Sequence, residues 1–358
     1  MRKQQFKTGI CSYGAYIPRY RITVEEISRN WGTDSEAYKN GLGLNEKSVP
    51  GLDEDTATIA TNSALQAIDR LNNYNNTIGA IYTGSESHPY AVKPTSSIVG
   101  NALGISDNYT AADLEFACKA GTAAIQVATG MVEAGMINSG IAIGADTAQG
   151  SPGDALEYSA GCGAAAFVLS QDDVIATILH TTSITTDTPD FWRRMHEHFP
   201  KHGGRFTGEP AYFKHVIENT RLYLTETNTT ITDYDHIVFH MPNGKFPLSA
   251  AKVLGATNEQ LKTGFIVKYV GNLYSACSLV GLANILDIAK PDERILLVSY
   301  GSGAGSDAIG FQITKQILKY RKNIKKQLPY DKNVMDQINN KTYLSYGQYL
   351  RHANKLLN

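Results

Sequence analysis

The sequence predicts an α/β protein built as five layers, α/β/α/β/α, from two pseudo-equivalent halves. First, strand and helix patterns occur in the same order twice along the chain. Second, the predicted strands are apolar and almost uncharged, which is typical of sheets covered on both faces. Third, two predicted helices rich in small residues lack a polar stripe, and a helix that is apolar all round is buried. We therefore expect these two helices back to back in the central layer.

The first half contains a cysteine at the junction between a predicted strand and a predicted helix. Its elements are strand 78–83, polar turn 84–89, a short helix ending at Gly104, strand 111–117, a small-residue helix from Cys118, and strands 140–146 and 163–170.

The second half repeats this order. Its elements are strand 237–240, turn 241–244, helix 249–255, a small-residue helix 272–289, and strands 294–300 and 307–313. Glu86 precedes Cys118 by 32 residues, and His240 precedes Asn272 by 32 residues. The equal spacing favours an internal duplication over a chance likeness between α/β segments.

The chain is therefore predicted to have four parts. They are residues 1–170 (first half, with Glu86 and Cys118), 171–235 (an insertion that covers a cleft), 236–314 (second half, with His240 and Asn272) and 315–358 (a basic tail). The insertion breaks the repeated pattern, and long insertions are commonly functional. The tail carries ten Lys or Arg and two Asp.

Composition excludes several classes of protein. With 42% hydrophobic residues, 19% charged residues and a net charge of −1, the 358-residue chain is globular and shows no overall bias towards nucleic acid or membranes. The four cysteines form no CxxC pair, so neither a zinc knuckle nor a disulfide framework is indicated. No signal peptide or membrane span is predicted, which together with the cysteines favours the cytoplasm.

Cys118 is the candidate nucleophile. It ends an apolar run and opens the small-residue stretch 119–124. At a helix N-terminus the dipole stabilises a thiolate, so we expect the thiol pKa to lie one or more units below its usual ~8.5. The alternative is a small buried hydrophobe, as most free cysteines are.

Three further features accompany Cys118. His240 ends a strand, Asn272 begins a helix, and 299–306 is a glycine-rich turn that contains Ser302. A structural histidine and a plain helix cap are the simpler interpretations of the first two. Taken together, they indicate acyl transfer through a thioester on the enzyme, with the turn supplying a backbone N–H for an oxyanion.

The residues that carry these features resemble a known family. Segments 116–124, 240–245, 271–275 and 299–303 are similar to the thiolase superfamily and, more narrowly, to hydroxymethylglutaryl-CoA synthases of the archaeal type. Segments 16–21, 45–50 and 53–57 also resemble the archaeal members. The resemblance covers residues 8–313, is weaker in the tail, and implies a thiolase-like fold.

The resemblance implies a condensation of acetyl-CoA with acetoacetyl-CoA, in the mevalonate route to isoprenoids. It implies that Cys118 carries the acetyl group, Glu86 removes a methyl proton, and His240 assists the ketone oxygen. It further implies that Lys245 contacts the CoA phosphates. The residues that it assigns to contacts with the acyl portions are Ser159, Thr207, Asn272 and Ser302. Without the resemblance, Glu86 and Lys245 would be interpreted as solvated residues.

No cofactor or metal is expected. The thioesters are substrates, and His196, His198 and His202 do not have the spacing of a known metal motif. With Arg193, Arg194 and Arg205 nearby, this segment is better interpreted as a basic lid over CoA.

Two alternatives stay open. One is an initiating ketoacyl synthase, which lacks a glutamate base at the place of Glu86. The other is a non-catalytic subunit of a multienzyme complex. A thiolase proper is disfavoured because Ser302 stands where it would have a second cysteine.

The resemblance also implies a homodimer or larger assembly and a complex with an acetoacetyl-CoA thiolase and a small scaffold protein. The tail is predicted either to dock such a partner or to pack on the body.

Overall fold

The chain folds as two half-sheets with helices between and outside them, as seen in a computed structural model that describes residues 6–71, 78–147 and 150–353. The first part contains strands β1 (Gly9–Tyr16), β2 (Tyr20–Thr23), β3 (Glu46–Val49), β4 (Ile78–Gly84), β5 (Thr110–Leu114), β6 (Ser139–Asp146) and β7 (Gly163–Ser170). Its helices are α1 (Val24–Trp31), α2 (Ser35–Leu42), α3 (Thr56–Asp69), α4 (Thr95–Ala102), α5 (Ala120–Glu133) and α6 (Ala155–Ser159).

The remaining strands are β8 (Ala176–Thr185), β9 (Phe191–Trp192), β10 (Lys201–His202), β11 (His236–Phe239), β12 (Arg294–Val298), β13 (Gly305–Ile313) and β14 (Thr342–Tyr343). The remaining helices are α7 (Phe213–Thr227), α8 (Phe246–Leu254), α9 (Asn258–Leu261), α10 (Val267–Val270), α11 (Cys277–Ile288), α12 (Gln316–Gln327), α13 (Val334–Asn339) and α14 (Tyr346–His352). Short 3-10 or π turns lie at Gly204–Thr207, Gly208–Tyr212, Ile231–Asp233 and Tyr274–Ala276. Across the described ranges, every helix is too short or too polar to cross a bilayer.

Strand pairing confirms the predicted internal duplication. Within the described residues, nine strands pair in the order β11–β12–β13–β8–β1–β7–β6–β4–β5. In the first half β4 is parallel to β6, while β6–β7 and β7–β1 are antiparallel. In the second half β11 is parallel to β12, while β12–β13 and β13–β8 are antiparallel. The two half-sheets are joined by the pairing of β1 with β8, where Gly9 faces Thr177 and Ile10 faces Ala176.

This pairing corrects the predicted boundary at 171–235. Strand β8 is the counterpart of β1, and α7 packs on the second half-sheet as α3 packs on the first. The second half therefore begins with β8, and only the chain between β8 and α7 lies over the cleft. The prediction missed β8 because that strand is rich in Thr and Ser and partly exposed, unlike the apolar strands from which the repeat was recognised.

Five layers follow from the helix contacts, as predicted. Helix α3 covers the outer face of the first half-sheet and α7 covers the second, while α5 and α11 lie between the sheets. One apolar cluster contains Leu279 and Leu282 of α11 together with Phe167 of β7 and Phe311 of β13. The central helices are therefore the shared core of both halves.

The central helices begin slightly later than the sequence predicted. Helix α5 starts at Ala120, and α11 starts at Cys277 after the 3-10 turn Tyr274–Ala276. A Cβ on Gly121 would lie 2.8 Å from the carbonyl oxygen of Ser275. Glycine is thus required where α5 passes this turn, and the close approach places the starts of both helices side by side.

The tail packs on the body. Its Asp331 forms an ion pair with the buried Arg70 at 2.6 Å, and Tyr320 hydrogen-bonds to Ser12. Strand β14 pairs with β2. Of the two predictions for 315–358, the packed tail is the one that the structure shows for the described residues.

A buried ion pair joins the start of α5 to the second half-sheet. Lys119 Nζ lies 3.1 Å from Asp307 Oδ2 and 4.3 Å from the centre of the Phe116 ring. The Asp307 carboxylate also accepts hydrogen bonds from Thr122 and Ser183. Two contacts thus fix Lys119, the residue that follows Cys118, and two hydrogen bonds hold the carboxylate that pairs with it.

We expect Lys119→Met to lower the free energy of unfolding by about 3–5 kcal/mol, because the charge of Asp307 would stay buried without its cation. Urea unfolding measures the change. Lys262→Met is the matched control, since its pair with Glu259 is exposed (62% and 77% of the side chains) and exposed pairs contribute little. Equal losses in the two variants would contradict the assignment.

Candidate active site

Cys118 and Glu86 meet because neighbouring parallel strands end at the same edge. Strand β4 pairs with β5 up to the Gly84–Leu114 pair; Glu86 follows β4, and Cys118 lies in the turn between β5 and α5. The Sγ atom of Cys118 lies 3.7 Å from Glu86 Oε2. Ala117 has a φ of 42°, a region that non-glycine residues rarely adopt, so the turn before the nucleophile is strained.

Both halves contribute to one cavity of about 160 Å³. Its lining includes six of the eight predicted site residues, namely Cys118, Ser159, Thr207, His240, Asn272 and Ser302. Glu86 reaches the cavity through its contact with Cys118. His240 enters from the end of β11, the counterpart of β4, and Asn272 lies before α11, the counterpart of α5.

Lys245 does not line the cavity. It is exposed and precedes α8, and its backbone N–H donates to the side chain of Asn243, which does line it. The structure therefore places Lys245 beside the cavity wall, outside the group that it brings together.

Asn272 has a structural role as well as its place on the wall. Its Oδ1 accepts a hydrogen bond of 2.9 Å from the N–H of Tyr274. Its own N–H donates to the carbonyl of Ser159 at 2.7 Å. Asn272 is not the N-cap of α11, which is Ala276, nor of the 3-10 turn, which is Leu273. Its side chain instead forms a local turn before the 3-10 element, and its backbone links the two lining segments.

The expected low thiol pKa is wrong in direction. Burial raises the pKa of Cys118 well above its usual value, and the charges of Glu86 and Asp146 raise it further. Burial also raises the pKa of Glu86, helped by Asp146 and opposed by the contact with Cys118 and by Arg193. Because burial disfavours the charged form of both groups and their side chains are in contact, a single proton exchanged between them is the chemistry that this pair supports.

Asp146 is a site residue that the sequence analysis missed. It is fully buried at the end of β6 and accepts hydrogen bonds from the hydroxyls of Ser85 (2.6 Å) and Ser87 (2.7 Å) and from the N–H of Glu86 (2.9 Å). Its other oxygen accepts from the N–H of Ser275 at 2.8 Å. A lone carboxylate closing an apolar strand, at the edge where Glu86 and Cys118 meet, was the pattern that could have revealed it.

His240 is buried and uncharged. Burial lowers its pKa to about 3, and Nδ1 has no hydrogen-bond partner within the described part of the chain. Its carbonyl accepts a hydrogen bond from the hydroxyl of Tyr212 at 2.8 Å, which fixes the backbone. A neutral imidazole with an unused ring nitrogen is suited to donating a hydrogen bond to a substrate oxygen.

The segment between β8 and α7 lines one side of the cavity. Phe191 packs with Cys118 and Tyr274, and Thr207 lies on the cavity wall. Asp190 accepts hydrogen bonds from the hydroxyl of Tyr300 and from the N–H of Gly303, at 2.8 Å for the latter. The lid is therefore tied to the glycine-rich turn that carries Ser302.

No metal centre is formed by the residues of the described ranges: no three His, Cys, Asp or Glu side chains come together as a possible ligand set. His196, His198 and His202 likewise do not form such a set.

Curated relatives of about the same length are similar to this chain along nearly all of it. The chain is 55% identical to the hydroxymethylglutaryl-CoA synthase of Archaeoglobus fulgidus, over 97% of this chain and 99% of that protein. It is 54% identical to the hydroxymethylglutaryl-CoA synthase of Methanosphaera stadtmanae, over 98% and 99% of the two chains. A family model for the C-terminal part of 3-oxoacyl-[acyl-carrier-protein (ACP)] synthase III matches residues 224–313.

Solved structures share the fold. The structure described as MvaS in complex with 3-hydroxy-3-methylglutaryl coenzyme A has a TM-score of 0.87 at 21% identity, covering 99% of this chain and 93% of that one. A structure of an HMG-CoA synthase complexed with CoA has a TM-score of 0.84 at 24% identity, covering 97% and 89%.

Glu86→Gln is expected to raise the melting temperature near pH 8. The native pKa of Glu86 lies above its unfolded value of about 4.3, so the native state binds the proton more tightly and loses stability as pH rises through that window. Glutamine stays neutral, so the gain should be present near pH 8 and shrink towards pH 5.

Melting curves of Glu86→Gln and wild type at both pH values test this. Glu259→Gln, which changes an exposed carboxylate, is the control. A melting temperature for Glu86→Gln at or below that of wild type at pH 8 would show that the buried charge is not destabilising.

Proposed function

Because the chain belongs to the hydroxymethylglutaryl-CoA synthase family, we propose that it condenses acetyl-CoA with acetoacetyl-CoA through an acetyl thioester on Cys118. The reaction consumes one water and gives 3-hydroxy-3-methylglutaryl-CoA and CoA, as used in the mevalonate route. The observation that carries the proposal is the 3.7 Å contact between Cys118 Sγ and Glu86 Oε2. It puts a carboxylate base beside the atom that would hold the acetyl group.

In the first step, Cys118 takes the acetyl group from acetyl-CoA. Its Sγ forms a bond to the acetyl carbon while the thiol proton moves to the Glu86 carboxylate. The carbon–sulfur bond to CoA then breaks, and the CoA sulfur leaves with that proton. The backbone N–H groups of Cys118 and Ser302 are the candidates for stabilising the intermediate oxyanion.

In the second step, Glu86 makes the carbon nucleophile. It takes a proton from the methyl group of the acetyl thioester, and the resulting enolate attacks the C3 ketone of acetoacetyl-CoA. The neutral ring of His240 donates a hydrogen bond to the ketone oxygen as it becomes an alkoxide. The alkoxide then receives the proton that Glu86 removed, so the carboxylate is restored.

In the third step, water cleaves the thioester on Cys118. The water oxygen bonds to the acyl carbon, Glu86 accepts its proton, and Sγ leaves and is protonated. The product is released with a free carboxyl group where it was bound to sulfur, and the thiol of Cys118 is restored. No step uses a cofactor.

The remaining predicted residues are assigned to binding. Ser159, Thr207, Asn272 and Ser302 would contact the acyl portions, since all four line the cavity. We assign Lys245 to the CoA phosphates because it is exposed next to the wall residue Asn243, where a cation meets anions without being buried.

We further propose a cytoplasmic enzyme that forms at least a homodimer. Strand β5 stands at the end of the strand order, and an unpaired edge is a ready surface for sheet extension. A complex with an acetoacetyl-CoA thiolase and a small scaffold protein is proposed from the family resemblance.

Product analysis tests the function directly. The purified protein, mixed with acetyl-CoA and acetoacetyl-CoA, should yield the mass of 3-hydroxy-3-methylglutaryl-CoA. A β-ketoacyl product from malonyl thioesters would instead support an initiating ketoacyl synthase, which is the alternative raised by the match at 224–313.

Two variants separate the half-reactions. Cys118→Ser should capture no labelled acetyl group. Glu86→Ala should still form acetyl-enzyme, more slowly because the thiol loses its proton acceptor, since losing the carboxylate charge lowers the pKa of the thiol and lets water take the proton. Condensation by Glu86→Ala should fall by about 10²–10⁴ because the base is gone.

Cys277→Ser is the control for acetyl capture, since Cys277 is buried outside the cavity. The assignment fails if Cys118→Ser retains the label or if Glu86→Ala condenses at a near-normal rate.

The pH profile identifies the base. The pKa of Glu86 is raised, so kcat/KM for acetoacetyl-CoA should fall on acidification at a pH above the ~4.3 of an ordinary glutamate. The His240 pKa of about 3 lies too low to cause this fall. His240→Gln should therefore lower the rate without moving the midpoint. A midpoint that shifts with His240→Gln would assign the titration to the imidazole instead.

A further inference from the structure

The C-terminal helix α14 packs on α6, a five-residue helix in the wall of the cavity. The hydroxyl of Tyr346 donates to Glu157 Oε1 at 3.0 Å. The second oxygen of Glu157 accepts from the ring N–H of Trp31 at 3.0 Å and from the N–H of Gly153 at 2.8 Å. A fully buried carboxylate of α6 is thus held by the tail on one oxygen and by the first half on the other.

A second contact runs through Lys47. Its ammonium donates to the hydroxyl of Tyr349 at 3.0 Å and lies 4.6 Å from the centre of the Tyr349 ring. The same ammonium donates to the carbonyl of Glu157. Tyr349 and Lys47 are both buried, so α14 also reaches the backbone of α6.

Helix α6 connects these contacts to the cavity. Ala155, Leu156 and Ser159 line the cavity, and the carbonyl of Ser159 accepts the N–H of Asn272 at 2.7 Å. The N–H of Gly161 donates to the carbonyl of Asn272 at 2.9 Å. A displacement of α6 would therefore move lining groups from both halves of the molecule.

Such a short helix has little stability of its own. In a single helical turn, the entropy cost of fixing the backbone dihedrals exceeds the stabilisation from its few hydrogen bonds. The position of α6 depends on its tertiary contacts, and a buried carboxylate such as Glu157 needs every donor that it has.

We propose that Tyr346 and Tyr349 are positioning residues that hold α6, and with it Ser159 and Asn272, in the geometry that binds acetoacetyl-CoA. This inference rests on the proposed function for the identity of the substrate. It gives the C-terminal tail a role in substrate affinity, exerted through Glu157 and Lys47 and without contact between the tail and the substrate.

The test uses Tyr346→Phe, Tyr349→Phe and the double variant in the full chain. Each change removes one hydroxyl and keeps the ring. Tyr330→Phe is the matched control, since it makes the same change in the tail at a side chain that is 92% exposed and away from α6. The measurements are KM and kcat for acetoacetyl-CoA, acetyl capture by Cys118, and hydrogen–deuterium exchange of the amides at 154–161.

We expect the double variant to raise KM for acetoacetyl-CoA about tenfold, as the loss of two net hydrogen bonds implies. Acetyl capture should stay near that of wild type, and exchange at 154–161 should increase. Each single variant should show a smaller change in the same direction, and Tyr330→Phe should match wild type. If the double variant fails to fold, the two single variants decide.

A merely structural role would lower kcat and acetyl capture together, through a smaller active fraction, and would leave KM unchanged. That result would overturn the proposal, as would a raised KM without faster exchange at 154–161. Failure of the proposed function looks different. In that case wild type would form no 3-hydroxy-3-methylglutaryl-CoA. Separately, an unchanged exchange rate at 154–161 in the variants would show that the tail does not position α6.

Discussion

The contact between the Cys118 thiol and the Glu86 carboxylate is the constraint on which the rest of the site depends. Neither group is stable as an ion in this position, since burial disfavours both charges, and the carboxylates of Glu86 and Asp146 raise the pKa of the thiol further. A proton shared between them is therefore easily moved. The 3.7 Å separation of Sγ and Oε2 also leaves the carboxylate next to any acyl group bound to sulfur, so one base serves both the thiol and the acetyl methyl group.

Holding two such groups together requires structure from both halves. Asp146 accepts hydrogen bonds from the loop of Glu86 and from Ser275 in front of α11, so a single buried carboxylate ties the first half to the second. The ion pair of Lys119 and Asp307 makes the same connection on the other side of Cys118. These polar links lie at the edge where the strands of both halves end, which explains why the cavity forms there.

The sequence predicted the site residues that can be recognised from the order and spacing of strands and helices. It failed for properties that depend on contacts with distant segments. The duplication located Glu86 and His240 after equivalent strands, and Cys118 and Asn272 before equivalent central helices. The pairing of β4–β6–β7–β1 and β11–β12–β13–β8 agrees with it. The direction of the thiol pKa was wrong because burial by distant segments, and then the carboxylates of Glu86 after β4 and Asp146 on β6, outweigh the local helix dipole. Asp146 was missed for the same reason, since its donors are spread over four positions between 85 and 275.

His240 shows how the two halves divide the chemistry. Its burial without a charged partner lowers the pKa of the imidazole to about 3 and keeps it neutral above that pH, while the first half holds the carboxyl groups of Glu86 and Asp146. A cationic histidine in the same cavity would form an ion pair with Glu86 and weaken it as a base. The neutral ring avoids this cost and still offers a hydrogen bond where an alkoxide would form. The first half thus supplies the base and the second half supplies a donor that leaves the base intact.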